Sequence, residues 1–225
     1  MKAIPIIIAG AVLGAFAIGG VTVVAVTHDL TTERIAAGER ASMLAKLQAI
    51  VPAGSIENDP MADQIEVHDP DLLGSPTTDV YRVRKGGEAV AVILNPTVPD
   101  GYAGPIKLLV SVLKDGTLGG VRVISHHETP GLGDRIEEQR PYKWDANGKP
   151  MIWVSSFTGK SLSDPTPDKW GVKRDGGEFD QFTGATISPR SVVKAVKNTL
   201  LFVQKHGDSL YAPSQIAVAT GGGAS

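Results

Sequence analysis

The sequence predicts an α+β protein: a single N-terminal transmembrane helix, then one domain built on an antiparallel sheet. Three observations carry that prediction. From Ala3 to Thr27 no residue bears a formal charge, and most are Ile, Val, Ala, Leu or Gly. Further along, two pairs of apolar runs flank short glycine-containing turns of hairpin length. A strongly amphipathic helical stretch then ends the patterned part of the chain.

The apolar run is the anchor, residues 1–30. About 20 apolar residues cross a bilayer's hydrocarbon core, whereas a secretory signal has an apolar core of about 7–15 followed by a small-x-small cleavage site. Ala25-Val26-Thr27 makes a poor cleavage site, which favours an uncleaved anchor over a signal. Lys2 on one side, against His28, Asp29, Glu33 and Arg34 on the other, weakly favours a cytoplasmic N-terminus and an exported remainder. Gly10 and Gly14 form a small-xxx-small pair of the kind that admits a second membrane helix, although glycine is common in such helices.

Residues 31–55 read as a connecting helix, with Ile35, Leu44, Leu47 and Val51 near one stripe and Pro52-Ala53-Gly54 as its stop. Asn58 to Thr78, rich in Asp, Pro and Gly, is expected to be irregular. Val80–Val83 and Ala89–Leu94 flank Lys85-Gly86-Gly87. Ile106–Leu113 and Leu118–Ser125 flank Lys114-Asp115-Gly116-Thr117, where Asp-Gly suits a turn that needs positive φ. Asp134–Gln139 is expected to be a short helix and Ile152–Ser155 a strand, while Ser161–Gly177 should be ordered only by packing or by a ligand. In the last helix Ser188 suits the N-cap and Pro189 the first helical position; Val192, Val196, Leu200 and Val203 form the buried stripe. The exported domain thus spans residues 56–208, and residues 209–225, ending Gly-Gly-Gly-Ala-Ser, form a disordered tail.

Composition narrows the chemistry. The 225 residues carry a formal net charge of −2, so no basic surplus points to nucleic acid. The chain has no cysteine, which removes disulfides, thiolate zinc sites, cysteine-ligated iron–sulfur clusters and thiol nucleophiles together. There is no Gly-rich phosphate loop in a strand–helix setting and no G-x-G-x-x-G in a βαβ setting. His126 and His127 are adjacent, but neighbours on a strand point to opposite faces, which argues against a shared metal. Trp144, Trp153 and Trp170 read as core or pocket walls.

Two segments remain. In Asp180-Gln181-Phe182-Thr183-Gly184-Ala185-Thr186, hydroxyls flank a Gly-Ala pair with almost no side chain, directly before the last helix. Backbone N–H groups at a helix start make a site for a phosphate; the plainer reading is a turn with capping hydroxyls. In Ser125-His126-His127-Glu128-Thr129-Pro130-Gly131-Leu132-Gly133-Asp134, the turn is rigid at Pro130 and open at its glycines, so backbone can close against a flat ligand.

Together these segments carry a family resemblance. Asp180 to Thr186 matches the flavinylation motif D-x-x-[ST]-G-A-[ST] of FMN-binding domains, found in the G subunit of the Rnf electron-transport complex and in the C subunit of the sodium-translocating NADH:quinone reductase. Gly101 to Ile106, His126 to Ile136 and Asp175 to Arg190 resemble the Rnf protein in particular, as does the layout of one membrane helix, a connecting helix and one exported domain.

The resemblance implies FMN joined covalently to Thr186 as a phosphoester. It implies that Thr183, Gly184 and Ala185 are read by a separate flavin transferase, and that Glu128, Thr129, Gly131, Leu132 and Gly133 belong to the flavin pocket; Lys173 is a further candidate for positive charge near the flavin. It implies an electron-transfer subunit with no catalytic side chain of its own, in a complex that links ferredoxin and NAD to ion movement. Partners would be other membrane subunits and the lipid bilayer. The location would be a bacterial inner membrane, single-pass, with the FMN domain on the periplasmic side. The quinone-reductase protein, a reversible FMN reductase and a non-redox tethered module are the competing readings.

Overall fold

The computed structural model describes residues 3–212. Contacts divide the chain into two compact units, with the boundary between Ala45 and Lys46.

The first unit consists of helix α1, Ala3–Gln48, whose last three residues fall in the second unit. From Ile7 onward the helix is long and apolar enough to cross a membrane, with a mean hydropathy of 2.3 in its apolar window. Its large apolar side chains, among them Ile7, Leu13, Phe16 and Val21, are exposed. The expected anchor and connecting helix are one element. Nothing between Thr27 and Thr32 breaks the helix, and the Thr31 and Thr32 hydroxyls donate back to the carbonyls of Thr27 and His28, 2.7 Å each, instead of capping a new start. The helix also stops at Gln48, short of the Pro52-Ala53-Gly54 signal.

The second unit is built on a six-stranded sheet. Its strands are β1 (Gln64–Val67), β2 (Thr78–Lys85), β3 (Glu88–Leu94), β4 (Thr97–Val98), β5 (Ile106–Leu113) and β6 (Leu118–Ser125). Every pairing is antiparallel. β2 lies between β1 and β3; β3 and the two-residue β4 share one edge of β5, and β6 takes the other. Both hairpins fall where the turn chemistry puts them. Lys85 pairs with Glu88 across Gly86 and Gly87, whose φ values of 59° and 83° fit the mirror-image turn that a two-residue hairpin prefers. In the other, Asp115 Oδ1 accepts from Thr117 N and Oγ1, and Gly116 takes φ 83°.

Period-2 alternation gives the sheet two buried faces. Val80, Val92, Leu94, Leu108, Val110 and Val112 join the main core with Val192, Val196, Leu200 and Val203 of helix α3 (Ile187–Leu210). On the other face Tyr81, Val83, Ala91, Ile93 and Leu109 are also buried. There Ile50 crosses β6 at Gly119 and Gly120. A Cβ at Gly120 would stand 3.2 Å from Ile50 Cα, so the second glycine keeps that approach possible.

Several elements depart from expectation. β1 forms inside the stretch expected to be irregular, followed by the one-turn helix α2 (Pro70–Leu73), which Asp69 caps by accepting from Leu72 N. A separate hairpin forms from β7 (Pro141–Trp144) and β8 (Pro150–Ile152). The strand expected at Ile152–Ser155 is instead a 3-10 turn from Trp153 to Phe157. That turn lets both fully buried rings meet edge to face at 5.2 Å. A 3-10 turn at Gly133–Ile136 replaces the short helix expected over 134–139. Two more, Pro167–Lys169 and Lys173–Asp175, occupy the Pro- and Gly-rich stretch on either side of the buried Trp170. Helix α3 runs to Leu210, past the expected boundary at 208; of the tail assigned to 209–225, residues 213–225 lie outside the described residues.

Candidate functional site

The segment from Asp180 to Thr186 is fastened at its start. Asp180 Oδ2 accepts from Tyr142 Oη (2.9 Å) and Lys143 Nζ (2.5 Å), Oδ1 accepts from Lys173 Nζ (2.5 Å), and its carbonyl accepts from Trp153 Nε1 (2.7 Å). Partial burial pushes the Asp180 carboxyl up, but hydrogen bonds from Lys143, Lys173 and Tyr142 outweigh it and hold the group down at about 2. Lys143 is correspondingly pushed up to about 12, chiefly by its bond to Asp180. Phe182, buried against Trp153 at 5.4 Å, anchors the next residue.

From Phe182 the chain turns. Ala185 N donates to Phe182 O at 3.2 Å, with Thr183 exposed at the bend and Gly184 at φ 83°. A β-turn with positive φ at its third residue favours glycine there. Space alone does not demand glycine here: a Cβ would meet Leu132 Cδ2 at 3.5 Å, an ordinary contact, so the positive φ is what calls for it.

Thr186, and not Ser188, is the N-cap of α3. It sits at φ −89°, ψ −23°, its carbonyl accepts from Arg190 N, and its hydroxyl makes no capping hydrogen bond. An extended N-cap would aim a hydroxyl at the N–H groups of the first turn; the helical dihedrals of Thr186 do not. Ile187 and Ser188 therefore keep outward N–H groups, while Pro189 has none; the first turn holds no acidic residue of its own, but the Glu128 carboxyl meets it at Ser188 Oγ. Ser188 lies in the first turn and is fully buried. Its hydroxyl donates 2.5 Å to Glu128 Oε2.

Glu128 is buried at the end of the other segment. Its Oε1 accepts from Ala103 N at 3.3 Å, and its own N–H donates to His126 Nδ1 at 2.9 Å. With Nδ1 accepting, His126 carries its proton on Nε2, which bonds Glu137 Oε1 at 2.7 Å. His127 is exposed. Thr129 O accepts from both Leu132 N and Gly133 N, closing the turn around Pro130 and Gly131. Gly133 admits no side chain, because a Cβ would lie 2.7 Å from Glu128 Oε2.

Between the two segments lies a cavity of about 300 Å³. One wall is Gly184, Ala185, Thr186 and Ile187; the other is Glu128, Thr129, Leu132 and Gly133, and Tyr102 completes the rim. Tyr102, Leu132 and Ile187 are large apolar residues left exposed there. A more open hollow of about 860 Å³ lies between α3 and the β5–β6 turn, but none of the motif residues lines it.

Most of the residues singled out in the sequence thus converge, with three exceptions. Thr183 and Gly131 shape turns without lining the cavity. Lys173 does not line it either: its amine is held by Asp180, so it braces the start of the motif. Sequence reasoning missed Ser188 as the partner of Glu128, Tyr102 on the rim and Lys143 on Asp180. Of the tryptophans, Trp153 and Trp170 are buried in the core; Trp144 is exposed on β7, and none lines the cavity.

The FMN-binding domain family model matches residues 101–201, and the RnfG N-terminal region matches residues 1–50. The G subunit of the ion-translocating oxidoreductase complex from Pseudomonas aeruginosa is 45% identical over 206 residues, covering 91% of this chain and 92% of that protein. The chain belongs to the RnfG family, the G subunits of ion-translocating oxidoreductase complexes. Members from Yersinia pestis, 42% identical over 195 residues (87% and 88% covered), and Pseudoalteromonas atlantica, 41% over 206 (91% and 91%), share the same name and extent.

The residues present fit an FMN. The cavity is at the small end of ligand pockets, which run about 300–1,000 Å³, so it suits part of the flavin with the remainder at the surface. Its walls are largely apolar or bare backbone. The phosphate would meet outward N–H groups at a helix start, where the nearby Glu128 carboxyl is already engaged by the Ser188 hydroxyl and the Ala103 N–H.

Proposed function

We propose that this chain carries one FMN as a phosphodiester on Thr186 and relays electrons between other membrane subunits of an Rnf-type ion-translocating complex linking ferredoxin and NAD. The observation that carries this reading is Thr186 itself, whose hydroxyl makes no capping bond and which lines the cavity of about 300 Å³.

FMN supplies the redox chemistry, and the protein supplies position and surroundings. The N–H groups of Ile187 and Ser188 hold the diester's single negative charge. Leu132 and Ile187 keep water from the apolar wall, and the short Gly184-Ala185 backbone admits close approach. No side chain is assigned to acid–base catalysis. A threonine hydroxyl needs a base to attack phosphorus, and among the described residues no base is bonded to Thr186, so a separate flavin transferase makes the ester. Thr183, Gly184 and Ala185 form the turn it reads.

The apolar part of α1 anchors the chain once in the lipid bilayer of the bacterial inner membrane. The lysine at position 2 favours a cytoplasmic N-terminus with the FMN domain in the periplasm. Intact-mass analysis of the membrane-purified protein tests the central bond. Wild type gains one FMN less one water, and Thr186→Val gains nothing. A flavin increment that survives Thr186→Val would sink the reading.

A further inference from the structure

Among the described residues of the second unit, five large apolar side chains are exposed. Tyr102, Leu132 and Ile187 border the cavity. The other two, Trp144 and Met151, belong to the β7–β8 hairpin, and 62% of Trp144 faces water. Pro150, paired opposite Trp144, is exposed as well.

This hairpin is fixed at both ends. At its tip Asp145 Oδ1 accepts from Asn147 N at 2.9 Å and from Lys149 N at 2.8 Å. At its base Tyr142 and Lys143 donate to Asp180, and the Tyr142 ring lies 6.0 Å from that of Phe182. The hairpin is thereby fastened to the start of the motif, whose turn exposes Thr183 directly after Phe182. A tryptophan held rigidly in water adds nothing to the core, and exposed aromatic side chains on firm supports are the usual anchors of protein interfaces.

We propose that the β7–β8 hairpin is the docking surface for the flavin transferase, with Trp144 as its anchor. This deepens the reading of FMN on Thr186 and rests on it. The transferase brings a flavin dinucleotide to Thr186. A bond forms between Thr186 Oγ and the FMN phosphorus while the pyrophosphate bond breaks; a nucleoside monophosphate leaves, and the threonine proton passes to a base of the transferase. A specific protein contact covers about 800 Å² on each partner, more than the three residues of an exposed turn can offer. The hairpin is the exposed apolar surface bonded to that same segment. Its charges select the partner's face too. The Asp145 carboxylate is spent on its own turn, so Lys143 and Lys149 are the charges shown outward, and they fit an apolar pocket with an acidic rim. A redox subunit needs nearness to the flavin ring and has no use for a grip beside Asp180.

The test uses the full-length protein purified in detergent from cells that lack the transferase, so that Thr186 starts bare. Flavin dinucleotide and purified transferase are added, and the initial rate of flavin gain is read by intact mass at rising concentrations of the chain. Truncating an interface tryptophan is expected to raise KM on the order of tenfold in Trp144→Ala, with kcat nearly unchanged, because the indole grips the transferase without touching the reacting atoms. Trp144→Phe should fall between. With excess transferase both variants should load fully, whereas Thr186→Val should gain nothing.

A wild-type KM in Trp144→Ala overturns the inference and leaves the attachment standing. If that variant, fully loaded, then fails to pass electrons in the assembled complex, the hairpin belongs to a redox subunit instead. Wild type that gains no flavin, or Thr186→Val that gains as much as wild type, overturns the attachment and the inference with it. Trp144 lies outside the core, so its variants keep the fold, and thermal melts matching wild type verify this.

Discussion

Ser188 Oγ donates a 2.5 Å hydrogen bond to Glu128 Oε2, joining the first turn of the last helix to a residue 60 positions earlier. Both groups are buried. The bond ties together the two segments that form the cavity, and it explains why Ser188 does not cap the helix it opens.

Removing that donor leaves a buried carboxylate one partner short. A hydrogen bond to a charged group is worth about 1.5–3 kcal/mol, so Ser188→Ala should lose roughly that much stability. Urea unfolding should show a lower midpoint with an unchanged slope, since the surface exposed on unfolding is the same. An unchanged midpoint would mean the bond contributes nothing.

Gly133→Ala drives a methyl toward the same pair, 2.7 Å from Glu128 Oε2 and 3.0 Å from Ser188 Oγ. Overpacking of this kind costs about 1–3 kcal/mol. Because the clash sits on the cavity wall, flavin content per chain should fall with stability. Absorbance of the purified variant at the flavin band, set against protein mass, reads this directly.

Asp180 supplies a pH signature. Its carboxyl, normally near 3.8, is held at about 2 in the fold by hydrogen bonds that outweigh its burial. A depressed carboxylate adds stability that is present above the unfolded value and lost as pH falls through the folded one. Wild type should therefore lose its advantage over Asp180→Asn between about pH 4 and pH 2. Thermal melts of both proteins across that range would show the two curves converging; parallel curves would refute the assignment.

Orientation can be read with one substitution, because the natural chain contains no cysteine. Lys205 is exposed on α3. In Lys205→Cys, a membrane-impermeant maleimide added to intact spheroplasts should label the protein fully. Labelling that appears only after lysis would place the domain in the cytoplasm.

Much of this architecture was legible where local chemistry and tertiary packing agree. Gly86, Gly87 and Gly116 supply the positive φ that the turns need, and the strands on either side alternate, so both hairpins were readable to within two residues of their ends. Helix α3 announced itself through Val192, Val196, Leu200 and Val203. β1 did not, because Gln64-Ile65-Glu66-Val67 is too short to stand out between Asp63 and His68, and pairing with β2 creates it. Ile152 to Ser155 looked like a strand, but burying the Trp153 and Phe157 rings together takes the tighter Trp153–Phe157 turn.

In the site, residue types gave the cavity's walls but not its bracing. Ser188 beside Pro189 satisfies every local rule for a cap, and only the distant Glu128 draws its hydroxyl away. Lys173 offered a charge near the motif, and Asp180 had already claimed it. Such competition between partners far apart in sequence has no local signal.

The rims of the sheet have a consequence of their own. At one end β1 is four residues long and turns Gln64 and Glu66 to solvent. At the other, Leu118 exchanges backbone bonds with Gly159 and Lys160, and the Trp153–Phe157 turn packs beside β6. Unguarded strand margins recruit neighbouring chains into fibres. With a short, polar margin on one side and, on the other, a margin engaged at Leu118 and flanked by the Trp153–Phe157 turn, the sheet leaves neighbouring chains little regular edge to extend.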